Sequence, residues 1–222
     1  MTLPRAPKAV VFDMDGLLVD TECIYRDALI STAAEMGRDL PVEVVMRMIG
    51  HTWPASAQVL RDHFGEALDT DALRARSIER FYDIARAGVA LKAGVLEILD
   101  FLDGAGLRRG VVTSSRRSEV EHHLGDHGLL NRFDFILAHG DYPRPKPDPA
   151  PYATAAERLA LAPADVLALE DSHNGVRAAA GAGMMTVMVP DLLAATDEMH
   201  TLCVRIAADL HEVRSILEGR TL

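Results

Sequence analysis

Ala9-Val10-Val11-Phe12-Asp13-Met14-Asp15-Gly16 decides how this chain folds. Ala9 to Phe12 is apolar, rich in β-branched residues and free of polar alternation, the pattern of a strand buried on both faces. It ends on two carboxylates one residue apart. Their repulsion is unfavourable unless a cation or a proton is shared. Gly16 then lets the chain turn sharply. An ordinary turn uses the same residue types, so the stretch gains meaning from what recurs downstream.

Runs of the same kind recur at Gly110-Val111-Val112-Thr113, Phe133-Asp134-Phe135-Ile136-Leu137, Val166-Leu167-Ala168-Leu169 and Met185-Thr186-Val187-Met188-Val189. Between them lie helical patterns: Val95, Ile98, Leu99 and Leu102 share one face, and Val176, Ala179, Ala180 and Gly183 repeat the spacing more weakly. Strand and helix in alternation predict an α/β fold, a parallel sheet with helices on both sides. From Thr21 to Ala90 the rhythm stops. Ile24, Ala28, Leu29, Thr32, Ala33 and Met36 predict one helix, Val59, Leu60 and Phe64 a second, and Leu73, Ile78, Phe81, Tyr82 and Ile84 a third. The expected organisation is an α/β unit of residues 1–20 and 91–222, interrupted by a helical unit of residues 21–90. His211 to Leu217 predicts a helix in the tail.

Three more polar clusters follow predicted strands. Glu170-Asp171-Ser172 brings a second carboxylate pair, although acids also serve the first turn of a helix. Thr113-Ser114-Ser115 offers hydroxyls and backbone N–H groups for an anion, or a simple helix cap. Lys146 stands between Pro145 and Pro147, which hold the backbone stiff and present a fixed charge for a phosphate; a solvated loop lysine is the plain alternative. In a parallel sheet these loops open on one edge. Asp13, Asp15, Glu170 and Asp171 there form an oxygen-only set suited to Mg²⁺.

The chain has 222 residues and a formal net charge of −10, which argues against nucleic acid or anionic membranes as partners. A small anionic substrate stays possible, because a bound cation reverses the sign locally. Two cysteines, Cys23 and Cys203, make no disulfide scaffold and suit a reducing cytoplasm. Met1 to Lys8 lacks the apolar run of a signal peptide.

Val10 to Glu22 resembles the first motif of the haloacid dehalogenase superfamily over its full length. Thr113 is similar to the second motif, Lys146-Pro147 to the third, and Glu170-Asp171-Ser172 with Gly175, Ala179 and Gly183 to the fourth. The helical insert resembles the cap of the subgroup containing β-phosphoglucomutase and phosphoglycolate phosphatase. The resemblance implies a Rossmann-like parallel sheet of five strands in the order 5-4-1-2-3. It also implies phosphate-ester hydrolysis with Mg²⁺. Asp13 would be the nucleophile that becomes an aspartyl phosphate, and Asp15 the acid and base. Thr113 and the Ser114 amide would hold phosphoryl oxygens, and Lys146 would offset charge. Asp13, Asp171 and the Asp15 carbonyl would hold Mg²⁺, with Glu170 in or beside that set.

The family's phosphoglucomutases carry an Arg where this chain has Trp53 and a His where it has Tyr25. That favours a hydrolase of a small phosphorylated metabolite over an isomerase that moves phosphate within a sugar. Asp15 disfavours a dehalogenase. A non-enzymatic phosphoester-binding relative is the third reading, opposed by the intact motif residues. Tyr25, His51, Thr52 and Trp53 are the expected specificity residues of the insert. His122, His123 and His127 are expected on the surface.

Overall fold

The computed structural model describes residues 3–49 and 53–219. In chain order its first elements are β1 (Ala9–Phe12), α1 (Thr21–Glu35), α2 (Val42–Met46), α3 (Trp53–Phe64) and α4 (Thr70–Ala85). They are followed by α5 (Val95–Ala105), β2 (Arg108–Val112), α6 (Arg117–Gly125), β3 (Phe135–Leu137), α7 (Ala150–Leu159) and β4 (Val166–Glu170). The last are α8 (His173–Gly181), β5 (Met185–Met188), α9 (Asp197–Leu202), β6 (Arg205–Ile206) and α10 (Leu210–Leu217). The chain divides into two compact units, Met1–Val19 with Leu91–Leu222, and Asp20–Ala90.

The first unit is built on one parallel sheet in the order β3-β2-β1-β4-β5-β6. The expectation of five strands is corrected to six. The first five keep the expected neighbours, and β6 adds beyond β5 through Val187 beside Arg205 and Met188 beside Ile206. A two-residue, half-buried strand carries no periodic signal, which is why it is invisible in the sequence.

β1 lies between β2 and β4, and all four of its residues are buried. Ala9 and Val11 join Val112, Leu137, Val166 and Ala168 in one core cluster with Tyr152, Ala155 and Leu159 of α7 and Ala178 and Ala179 of α8. Val10 and Phe12, at the intervening positions, point to the opposite face. There Phe12 meets Phe133 edge-on at 6.0 Å between ring centres. α5 buries Val95, Ile98, Leu99 and Leu102, the face its spacing predicts.

α6 corrects one expectation. Val120, His123 and Leu124 form its buried face, so His123 is a core residue, 5% exposed, while His122 stays half-exposed. The steps of three and one that join these residues mark a helix face more reliably than the polarity of the histidine.

The second unit is helical. Leu29 and Ala33 of α1, Val44 and Val45 of α2, Leu60 of α3 and Leu73 of α4 enclose its core. Asp69 caps α4, accepting a 2.9 Å hydrogen bond from Ala72 N. The buried face of α4 runs through Leu73, Ser77 and Ala85, whereas Tyr82 and Ile84 are exposed, contrary to the apolar face expected from sequence.

Candidate active site

β1, β2 and β4 each deliver a polar group at the carboxyl edge of the sheet: Asp13, Thr113 and Glu170. β1 ends at Phe12, and Asp13 continues its pairing through N–H to Leu169 O at 2.9 Å. The chain then doubles back. Leu18 N and Val19 N donate to Met14 O at 2.8 and 3.1 Å, and Gly16 N donates to Val19 O at 2.9 Å. Met14, Leu17, Leu18 and Val19 are buried, so this turn is packed into the unit. Gly16 has φ +78°, and a Cβ there would lie 2.4 Å from Asp171 Oδ2. Glycine is required at this position by backbone conformation and by space alike.

Asp13 is 7% exposed. Its Oδ1 accepts a 2.5 Å hydrogen bond from Lys146 Nζ. The same ammonium donates to Glu170 Oε1 at 2.6 Å and to Val112 O at 3.0 Å, which uses all three of its protons. Lys146 thereby ties the ends of β1, β2 and β4 together. Glu170 is wholly buried and fully engaged. Oε1 also accepts from Tyr152 OH at 2.6 Å, and Oε2 accepts from Ser172 N and Oγ at 3.3 and 3.1 Å. Burial pushes the Tyr152 phenol well above its ordinary range, with Glu170 adding to it, so Tyr152 stays a neutral donor.

The electrostatics follow from this packing. Burial pushes the Asp13 carboxyl well above the usual carboxylate range; Lys146 pulls it back, while Glu170 and Asp15 add to the rise. Burial works against the Lys146 ammonium, but Asp13 and Glu170 on either side outweigh it and hold its pKa well above the ordinary lysine value. One positive charge thus serves two buried carboxylates, and the balance is left to a proton or a bound cation.

Asp15 lies across from β2. Ser115 Oγ donates to its Oδ2 at 2.6 Å and Thr113 Oγ1 at 3.2 Å. Thr113 is buried; its hydroxyl accepts from Ser115 N at 3.0 Å, and its carbonyl accepts from Tyr142 OH at 2.8 Å. Ser114 is exposed at the same turn. Asp13, Glu170 and Asp171 can each offer a carboxylate oxygen within 4.8 Å of the others. That oxygen-only set suits a hard dication, and the bare Cα of Gly16 keeps Asp171 Oδ2 accessible to it.

Asp13, Asp15, Thr113, Lys146, Glu170 and Asp171 all belong to this edge. Tyr25 and Trp53 belong to the helical unit. There Tyr25 is half-buried and meets Phe81 edge-on at 6.1 Å. Trp53 Nε1 donates to Asp71 Oδ1 at 3.0 Å, and the Arg74 guanidinium lies 5.0 Å above its ring. His51 and Thr52 fall outside the described residues. Tyr142 and Tyr152 are contributors that the sequence does not single out, and Ser115, expected as part of an anion cradle, instead holds Asp15. Neither tyrosine belongs to a motif residue set, and the fold brings them to the strand ends.

A family model described as haloacid dehalogenase-like hydrolase matches residues 10–189. A phosphoglycolate phosphatase of Nitrosospira multiformis is 31% identical over 225 residues, covering 98% of this chain and 99% of the relative. A haloacid dehalogenase family hydrolase from Deinococcus radiodurans, solved with bound phosphate and sodium, superposes with a TM-score of 0.83 at 28% identity, covering 96% of each chain. A CbbY variant from Rhodobacter sphaeroides, solved with xylulose-1,5-bisphosphate, gives a TM-score of 0.69 at 28% identity, covering 93% of this chain and 96% of that one.

Proposed function

The chain belongs to the haloacid dehalogenase-like hydrolases and is a phosphatase, and from that premise we propose that it hydrolyses a small phosphomonoester through a phosphorylated Asp13, with Mg²⁺ as the required cation. The observation that carries this reading is the buried Lys146 ammonium shared by Asp13 and Glu170, with Asp171 alongside.

A carboxylate oxygen of Asp13 attacks phosphorus and the ester oxygen departs, taking a proton from Asp15. Water then attacks the acyl phosphate, Asp15 accepts its proton, and inorganic phosphate leaves with Asp13 restored. Splitting the transfer in two makes each step easier than direct hydrolysis. Thr113 and the Ser114 amide hold phosphoryl oxygens, and Lys146 offsets the charge that accumulates on Asp13 and the phosphate. Asp13, Asp171 and the Asp15 carbonyl would hold Mg²⁺, which would supply neutralisation of phosphoryl charge. Glu170 acts beside them through Lys146. The use of two cysteines in 222 residues, Cys23 and Cys203, is consistent with a reducing cytoplasm.

Choice among phosphomonoesters is assigned to the helical unit, with Tyr25, His51, Thr52 and Trp53 as its candidate residues. Phosphate release is to be measured over a panel of sugar phosphates, phosphoglycolate and nucleotides, with Mg²⁺ and with chelator. Mg²⁺-dependent release from one or a few members is expected. Asp15→Asn should slow it by about 10²–10⁴-fold, the usual contribution of a placed proton donor. No release from any member, combined with interconversion of sugar phosphates primed by a bisphosphate, would replace hydrolysis with an intramolecular transfer.

A further inference from the structure

Asp191 follows β5 after Val189 and Pro190 and belongs to none of the four motifs. Its side chain is 8% exposed, and Oδ1 accepts a 2.7 Å hydrogen bond from Lys92 Nζ. Oδ2 is buried and has no hydrogen-bond partner among the described residues. A buried carboxylate oxygen left unmatched is unfavourable unless a donor or a cation reaches it.

Gly16 shows where that oxygen points. A Cβ on Gly16 would lie 2.4 Å from Asp171 Oδ2 and 3.3 Å from Asp191 Oδ2. The unmatched oxygen of Asp191 therefore converges with an oxygen of Asp171 on the space in front of one bare Cα. Lys92, the cation paired with Asp191 among the described residues, binds the other oxygen and leaves this side negative. A hard dication that keeps several of its waters supplies both missing features, positive charge and outward-pointing O–H groups.

We propose that Asp191 is a positioning carboxylate of the cation site, its Oδ2 accepting a hydrogen bond from a water of the ion that Asp13 and Asp171 hold, while Lys92 tempers its charge through Oδ1. The inference rests on the Mg²⁺ reading above. It extends the site from the ends of β1 and β4 to the segment beyond β5.

Calorimetric titration of Mg²⁺ into the metal-free full chain tests it, with Asp171→Asn, Asp191→Asn and Lys92→Met beside the unaltered protein. Asp191→Asn should weaken Mg²⁺ affinity by roughly 10-fold or more, in the range of 10–100-fold that such outer partners carry. Lys92→Met removes a positive charge near the ion and keeps the carboxylate, so it should tighten binding by roughly 3- to 10-fold at the effective dielectric of a partly buried pair. A purely structural ion pair predicts otherwise: both variants would melt earlier in chelator and bind Mg²⁺ as the unaltered protein does. Affinity within twofold of the original for Asp191→Asn, or no tightening for Lys92→Met, overturns the proposal; the second arm decides alone if the first variant does not fold. If Asp171→Asn loses Mg²⁺ while Asp191→Asn keeps it, only this inference falls. If Asp171→Asn also keeps it, the Mg²⁺ reading falls with it.

Discussion

Glu170 accepts four hydrogen bonds on two oxygens, from Lys146, Tyr152 and the backbone and hydroxyl of Ser172. A carboxylate offers about four lone-pair sites. Among the three carboxylates that could share a cation, Glu170 is therefore the one most committed to aiming Lys146. The aspartates are legible because each sits in a short motif at the end of an apolar run, and Lys146 because prolines flank it in the loop beyond one. Tyr152 is not, because nothing within its own segment distinguishes it from a core aromatic. His123 was misjudged for the opposite reason: its polarity suggested solvent, whereas its place on α6 puts it in the core. There burial lowers its pKa below the ordinary histidine value of 6.5, although Asp15 opposes the shift, and its Nδ1 has no partner among the described residues. The sign of the consequence follows from linkage. The unfolded chain takes up a proton near pH 6.5 that the folded chain resists, so stability is full above that value and is lost as pH falls through it. Thermal melting between pH 7.5 and 5.5 should show a smaller decline for His123→Leu than for the unaltered protein. Equal slopes would mean that other groups carry the acid sensitivity.

The junction of β4 and α8 converts one residue's chemistry into an element's geometry. Ser172 caps α8, its Oγ accepting from Gly175 N at 3.1 Å while donating to Glu170 Oε2. The first turn of α8 therefore lies directly on the Glu170 carboxylate. A Cβ at Gly175 would come within 1.9 Å of Glu170 Oε1. Gly175→Ala must displace Glu170, and Lys146 with it. Overpacking of this kind costs about 1–3 kcal/mol. The expected outcome is a lower denaturation midpoint together with a loss of turnover out of proportion to it, read from urea unfolding and phosphate release on one preparation. Unchanged turnover in the folded variant would detach Glu170 from the function of Lys146. At this scale the sequence was most readable where pattern and length agreed. β1, β4 and α5 announce themselves through unbroken apolar runs or a clean helical face. β6 is two residues long and α2 five, too short for any period to register. On α4 the aromatic residues misdirected the reading, because the small residues Ser77 and Ala85 make its buried face and leave Tyr82 in solvent.

At the scale of the molecule, the chain leaves its α/β unit and returns to it at one place. Val19 pairs with Leu91 in an isolated antiparallel bridge, and Lys92 N donates to Leu18 O at 3.0 Å. The helical unit closes on itself in the same way, through Asp20 N to Ala90 O at 2.9 Å. Its core of Leu29, Leu60, Leu73 and their neighbours forms a separate cluster from the one that lines the sheet. An insertion whose ends meet and whose core is its own adds no knot and no strand to its host, the condition under which inserted domains are tolerated. Replacing residues 20–90 by a short glycine-serine linker should therefore leave a host that melts in one cooperative transition and still binds Mg²⁺. Turnover of a small activated aryl phosphate should persist, while discrimination among phosphorylated metabolites collapses, because every residue assigned to chemistry lies in the host and every residue assigned to selection lies in the insert. A host that is folded yet inactive even on the aryl ester would move part of the chemistry into the helical unit. An excised host that keeps its preference among metabolites would move selection into the α/β unit, and attention would then pass from Trp53 and Tyr25 to the loops that follow β2 and β5.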